Sequence, residues 1–429
     1  MPLLTFRRLA CAGGIWLTAA GTVSAQTEVL PTPKTTPIPA PVVASKPTVT
    51  RYTLGDALAI ARQKHPQLDA MRARVSAALI GQRGVGEAKR MVGFITPEID
   101  VRVQQSDLGI RAAMAEYAQA QFEVEYAVIH CYYRVVFVRE QTRVANDLVE
   151  HLQENLESVR KIVAGKGGVK GVTKNTEDTL EVAVAQAKTR QNQAIFGIER
   201  ARAALREAMG LEPGMRVDAA DEWLPEVNAE LDRDTIIAHA ITRRGEVTLA
   251  LIGADVTRLE ACAQWAKRFN MTADTFASGS DIHSRAIPAA ERDPDYKPGA
   301  IGPDMPTKLV GNRQTRKDAA EAYATKAEAA AVQARSLVCL EAESAYVRWA
   351  EAARNVAVNR KGVEKSKSLV DRERDAAGVD KNYEKALQNE ITASLQRKTL
   401  NDALYEQISA LANLERCTAG GVKVNFPGR

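Results

Sequence analysis

The sequence predicts a mainly α protein built from two copies of one long coiled-coil helical hairpin. Three observations predict it. Apolar residues recur every three and four positions over several heptads, a glycine-broken tip follows each long run, and the pattern returns about 214 residues later. Of the 429 residues, 26% are charged, 45% hydrophobic and only 5% aromatic. So small aliphatic residues, which suit close-packed helices, carry the interior in place of rings. The composition excludes collagen, a disulfide-dense mini-protein and wholesale disorder. The net charge is +5, from 58 basic and 53 acidic residues. That near balance gives no concentrated basic face for nucleic acid.

Residues 1–25 have the form of a cleavable secretory signal: Arg7 and Arg8, an apolar stretch from Leu9 to Ala20, then Val23-Ser24-Ala25. Cys11 follows Arg8-Leu9-Ala10, which is no lipobox. Beyond the signal no run of 18 apolar residues occurs, so membrane contact would need strands or an anchor. Cys131, Cys262, Cys339 and Cys417 lie far apart, mostly within helical patterns. They read as buried thiols, although export also permits disulfides. Residues 26–50 hold six prolines and read as an extended linker.

The first repeat covers 51–211. Thr53 caps a helix expected to run to about Arg90. Ile99, Val101 and Val103 alternate with Asp100 and Arg102, a short strand signal. Then comes a heptad seam: Val128, Cys131, Val135, Val138, Thr142, Ala145, Val149, Leu152, Leu156, Val159 and Val163. It stops at the four glycines of 165–171, because a helix interior holds glycine at a cost of about 1 kcal/mol each. A return seam runs from Leu180 through Val184, Ala187, Ile198, Ala201 and Leu205 to Ala208, closed by Gly210. Helices over about 112–164 and 174–209 therefore form an antiparallel pair.

After a link over 212–233 the plan repeats over 234–418, leaving a tail at 419–429. One helix is expected from Asp234 to about Arg268, a loop over 269–313, a long helix over 315–377, a tip near Gly378 and a return helix over 381–416. Adding 214 to the first seam gives Ala342, Ala345, Trp349, Ala352, Val356, Asn359, Val363, Ser366 and Val370, in the same phase. Across the tips, Gly171-Val172-Thr173-Lys174-Asn175 aligns with Gly378-Val379-Asp380-Lys381-Asn382. Two such arms cannot bury all their seams within one chain, which points to an oligomer.

Several local strings resemble the TolC-type outer membrane efflux protein family. They are Thr53-Leu54-Gly55-Asp56-Ala57-Leu58-Ala59-Ile60-Ala61 followed by His65-Pro66-Gln67-Leu68, then Gly311-Asn312-Arg313 before an Ala-rich helix, and Leu411-Ala412-Asn413-Leu414-Glu415-Arg416. Their order and the duplicated hairpin carry the resemblance over about 52–418. It implies a trimer whose twelve long helices form a periplasmic tunnel below a twelve-stranded outer-membrane barrel. It also implies a passive conduit rather than an enzyme, docked through its tips to a periplasmic adaptor and an inner-membrane pump. The barrel is the departure from the family pattern. Two membrane strands and a turn need about 24 residues, and 91–111 offers 21 with one alternating stretch. A truncated barrel, or a periplasmic coiled-coil protein that has lost the barrel, are the alternatives.

The resemblance points to Asp371 and Asp375, four apart on one helix face before the second tip, as candidate entrance-gate residues. With Arg372 and Arg374 beside them, a solvated helix end is the plainer reading. Gly171, Val172, Thr173, Gly378, Val379 and Asp380 match the tips that meet adaptor hairpins, though glycine is also the default where a helix reverses. The string 165–173 lacks the Lys after its last Gly that a phosphate loop needs. His65, His130, His151, His239 and His283 form no i,i+4 metal pair, and no cofactor or catalytic constellation is legible.

Overall fold

The computed structural model describes residues 49–165, 172–267, 271–276, 305–375 and 383–429. In chain order the elements are β1 (Thr50–Tyr52), α1 (Leu54–Lys64), α2 (Pro66–Val92), α3 (Ile99–Ala164) and α4 (Lys174–Ala208). They continue with β2 (Val217–Ala219), α5 (Arg233–Arg243), α6 (Gly245–Ala266), β3 (Thr272–Asp274), β4 (Lys308–Val310), α7 (Arg313–Asp375) and α8 (Tyr383–Cys417).

Thr53 begins α1 as expected. Its hydroxyl accepts the Asp56 N–H at 3.1 Å and the Asp56 carboxylate accepts the Thr53 N–H at 3.2 Å, a reciprocal cap. The single helix expected to Arg90 is corrected to two. The ring of Pro66 disfavours helical backbone at His65, which sits at φ −70°, ψ 123°. Pro66 then opens α2, where its missing N–H costs nothing, and His65 Nδ1 accepts the Gln67 N–H at 3.3 Å. The helix expected from Asp234 to Arg268 breaks in the same way at Arg244, φ −70°, ψ 132°. Each repeat thus opens with an 11-residue helix and a sharp break.

The strand signal at Ile99, Val101 and Val103 is also corrected, since these residues form the first turns of α3. A five-residue alternation is short enough to fit either period. In the helix, Arg102 and Gln105 share a face and both bond Glu260 of α6, a contact a strand would separate.

The long helices set the layout. α3 has 66 residues and α7 has 63, so they are about 99 and 95 Å long at 1.5 Å per residue. α1 and α2 run antiparallel along the first part of α3, with Arg62 of α1 on Glu125 at 2.8 Å and Gln82 of α2 on Asp107 at 2.6 Å. α4 continues along the rest, with Gln191 on Asn146 at 3.0 Å and Arg160 on Glu181 at 2.5 Å. The other side of α3 meets α6 and then α8, where Gln141 bonds Asp402 at 3.1 Å and Arg397 pairs with Asp147 at 2.8 Å. α7 packs on the far side of α6 and α8. The result is a wall four helices wide: α2 with α4, then α3, then α6 with α8, then α7.

The predicted seams face inward. Val128, Val135, Val138, Val149, Leu152, Leu156 and Val159 are buried, and only the last position, Val163, is exposed. In the second repeat Ala342, Ala345, Ala352, Val356 and Ser366 are buried and none of the nine predicted positions is exposed. Gly210 closes α4 at φ +67°, where a Cβ would come within 2.7 Å of His65 Cα.

A belt ties the middle of the wall. β1 pairs with β2 in parallel, and the tail lies beside them. Phe426 is buried against Tyr133, ring centroids 5.9 Å apart. The Gly55 N–H donates to the Gly428 carbonyl at 2.7 Å, and Arg429 pairs with Glu415 at 2.7 Å and Glu125 at 3.3 Å.

Candidate functional site

The candidate gate and tip residues lie at one end of the wall, and the candidate barrel connections at the other. At the tip end, Asp371 is exposed on the penultimate turn of α7. It lines a cavity of about 390 Å³ that α3, α7 and α8 share, with Asp147, His151, Lys367, Glu390 and Arg397 around it. Asn155 donates to Glu390 at 2.8 Å beside this cavity. Asp375 is the last residue of α7, and its side chain lies outside the described residues. Gly171, Gly378, Val379 and Asp380 lie outside them as well.

Val172 and Thr173 are described. Val172 is half-buried against the seam cluster of Leu156, Val159 and Leu180. Thr173 starts α4: its N–H donates to the Thr176 hydroxyl at 3.3 Å and its carbonyl accepts the Thr176 N–H at 3.0 Å. Lys174 then pairs with Glu177 at 2.9 Å, and that hydrogen bond holds the Glu177 carboxyl below the usual range. These two tip residues therefore order the start of the return helix.

At the opposite end, α2 passes to α3 through residues 93–98 alone. Fully extended, six residues reach about 20 Å, less than the roughly 30 Å of a bilayer core even for one crossing. No pair of membrane strands is present there. The second connection carries β3 and β4, antiparallel and three residues each, with Thr272 opposite Val310. This pair sits against the start of α3: Arg102 donates to the Asp274 carbonyl at 3.3 Å and stacks on Phe276, 5.9 Å from the ring centre. Among the described residues no strand is long enough to cross a membrane, and no helix is long and apolar enough to do so.

No family model matches the chain and no curated protein does. Solved structures do. The outer-membrane channel OprN superposes with a TM-score of 0.68 at 15% identity, over 88% of this chain and 95% of that one. The outer membrane protein VceC of Vibrio cholerae gives 0.65 at 14% identity, over 86% and 96%. The open-state MtrE outer membrane channel of Neisseria gonorrhoeae gives 0.60 at 14%, over 86% and 90%. The chain has the TolC-type outer membrane efflux protein fold.

Within this TolC-type fold the helices that dominate the alignment are held by buried charge that the sequence did not advertise. Arg244, fully buried at the break before α6, pairs with Glu246 at 3.1 Å and with Glu341 of α7. Arg416 of α8 reaches the same Glu341 at 2.5 Å. Burial pushes the Glu341 carboxyl up, but Arg244 and Arg416 together draw it below its ordinary value. Toward the end opposite the tips, Glu260 is fully buried and takes Arg102 at 2.5 and 3.0 Å, Gln105 at 3.1 Å and Gln264 at 2.8 Å. Burial raises its pKa as well, and again the hydrogen bonds, Arg102 first, overrule it. Arg and Glu within helical patterns read as solvated faces in sequence, and only the fold turns these toward one another.

The remaining sequence candidates resolve simply. Trp349 is half-buried in the core, packed beside Tyr346, and Trp223 is exposed under Arg143, 4.0 Å from its ring centre. The four cysteines are free; Cys417 is buried, Cys131 and Cys339 are half-buried, and Cys262 is exposed. Burial pushes the Cys131 thiol up to about 11, which keeps it protonated and unreactive. Among the described residues no cluster of His, Cys, Asp and Glu is placed to hold a metal.

Proposed function

We propose that this chain is the outer-membrane component of a tripartite export system, a passive trimeric conduit rather than an enzyme. One observation carries the proposal: a wall about 95–99 Å long that leaves apolar side chains exposed on both of its edges. Val182, Ile195 and Phe196 are exposed on α4, and Val332, Val347 and Val358 on α7. Unlike edges that match one another make head-to-tail contacts, which close into a ring where the rotation between copies closes. Three copies would bring twelve helix positions around a tunnel. The lengths covered in OprN, VceC and MtrE support the same reading.

On this reading Val172 and Thr173, with Gly171, Gly378, Val379 and Asp380, meet the hairpins of a periplasmic adaptor fed by an inner-membrane pump. Asp371 and Asp375 ring the tunnel entrance. Carboxylates in a narrow ring attract cations, so the Asp371→Ala, Asp375→Ala double variant should lose cation block of single-channel current in planar bilayers. Unchanged block would remove the gate assignment.

A second reading, a periplasmic coiled-coil body without a membrane barrel, is favoured by the six-residue passage from α2 to α3. The native mass of the full chain extracted from isolated outer membranes in mild detergent separates the two. A detergent-dependent trimer supports the conduit. A monomer or dimer released by carbonate supports the second reading.

A further inference from the structure

The passage from α2 to α3 is short and apolar. Phe94 is 87% exposed, Met91 75% and Ile95 66%, and Phe94 is the most exposed large apolar side chain among the described residues. A well-folded surface seldom presents three such side chains together without a use for them. The passage joins the end of α2 to the start of α3, so it stands at the end of the wall.

Its surroundings match a lipid interface. Arg83 and Arg90 are exposed on the last turns of α2. At the same end, level with Glu260 and Arg102, Trp265 is partly exposed beneath Arg313, 3.5 Å from its ring centre, with Lys317 at 5.8 Å. Tryptophan is enriched at headgroup level, where one end of the ring is apolar and the other wet. Met271, just before β3, and Val310, the last residue of β4, are exposed there too. Acids are present: Glu98 is half-buried at the far end of the passage, and Asp100 pairs with Lys89 at 2.7 Å.

Length limits the depth. Six residues cannot cross a bilayer core, as shown above, whereas insertion of apolar side chains to about 5–10 Å needs no crossing. Ile80, also exposed, lies 11 residues before Met91 and so about 16 Å further down α2. It is beyond interfacial depth.

We propose that Met91, Phe94 and Ile95 form an interfacial lipid anchor, inserting into the near leaflet of a phospholipid membrane where a spanning strand pair would otherwise stand. The conduit reading says which membrane this is; the anchor itself can be tested apart from it.

The test is flotation of the purified full chain with vesicles of mixed phosphatidylethanolamine and phosphatidylglycerol. The Phe94→Asp, Ile95→Asp double variant should partition at least about tenfold more weakly, with an unchanged native mass in detergent. Both side chains are solvent-exposed, so the fold should tolerate the change. As a check that needs no loss of binding, Phe94→Trp should add tryptophan emission that vesicles with bromine-labelled acyl chains quench beyond the parent protein's own quenching. Equal flotation of the double variant and the parent, or absence of that extra quenching, would overturn the anchor. So would a fall in native mass with vesicle binding unchanged, which would make the turn a contact between copies. Vesicle binding that depends on Phe94 in a protein that is not a trimer would sink the conduit and leave the anchor standing.

Discussion

Arg244 shows how much one buried residue can carry here. It is fully buried, starts α6, and its guanidinium lies between Glu246 and Glu341. Removing one partner of a buried pair leaves uncompensated charge, so Arg244→Ala should cost about 3–5 kcal/mol, read from the denaturant midpoint. The sign of its pH dependence follows from Glu341, whose carboxyl is held below its ordinary value. A depressed carboxylate stabilises above its unfolded pKa, and that contribution is lost as pH falls through the folded pKa. The parent should therefore weaken in acid, and the gap between parent and variant should narrow there, because a protonated Glu341 no longer needs Arg244. A gap that stays constant down to pH ~3 would mean that packing, not charge, explains the loss. Nothing at residue level in the sequence foretold this pairing, since Arg244 and Glu341 stand 97 positions apart and each sits in an ordinary helical pattern. The Thr53 cap, by contrast, was legible because both partners lie within one turn.

Among elements, the seams were legible and the breaks were not. A heptad is a long-range regularity, and burial follows it in both repeats. The kinks at His65 and Arg244 depend on single residues, and a window long enough to see the helix averages them away. The signals were nevertheless present as Pro66 and Gly245. The glycines make this testable. A Cβ added at Gly81 or Gly84 in α2 would meet nothing within 4 Å. Gly81→Ala and Gly84→Ala should each stabilise α2 by about 1 kcal/mol. A Cβ at Gly245 would instead lie 2.8 Å from the Ala115 carbonyl and 2.9 Å from Gln119 Cβ, where α6 crosses α3. Gly245→Ala should lower the melting temperature although it too replaces a helical glycine. If all three substitutions shifted stability in one direction, the close crossing at Gly245 would be wrong.

For the whole molecule, the duplicated plan was readable from sequence because the two halves repeat their register over nine positions. What joins them was less so. α3 serves both halves, gripping α2 and α4 on one side and α6 and α8 on the other, and no local pattern records a helix with two partners. The belt is similar, since its tail holds few apolar residues and only Phe426 is deeply buried among the last four. Phe426→Ala should cost about 3–5 kcal/mol by the usual cavity scale. Its effect should appear in the belt first, as faster amide exchange across β1 and β2 with the far ends of α3 unchanged.

The same belt carries a consequence for how the chain is made. Each hairpin is made of neighbouring stretches of chain and can collapse early in folding. The contact of Gly55 with Gly428 spans nearly the whole chain, and contacts of such separation form late. Until Phe426 arrives, Tyr133 and the strand β1 wait without their cover, and the half-finished wall exposes the belt to whatever else is nearby. A chaperone that shields this waist during folding would act on an interval set by the arrival of Phe426 and Gly428.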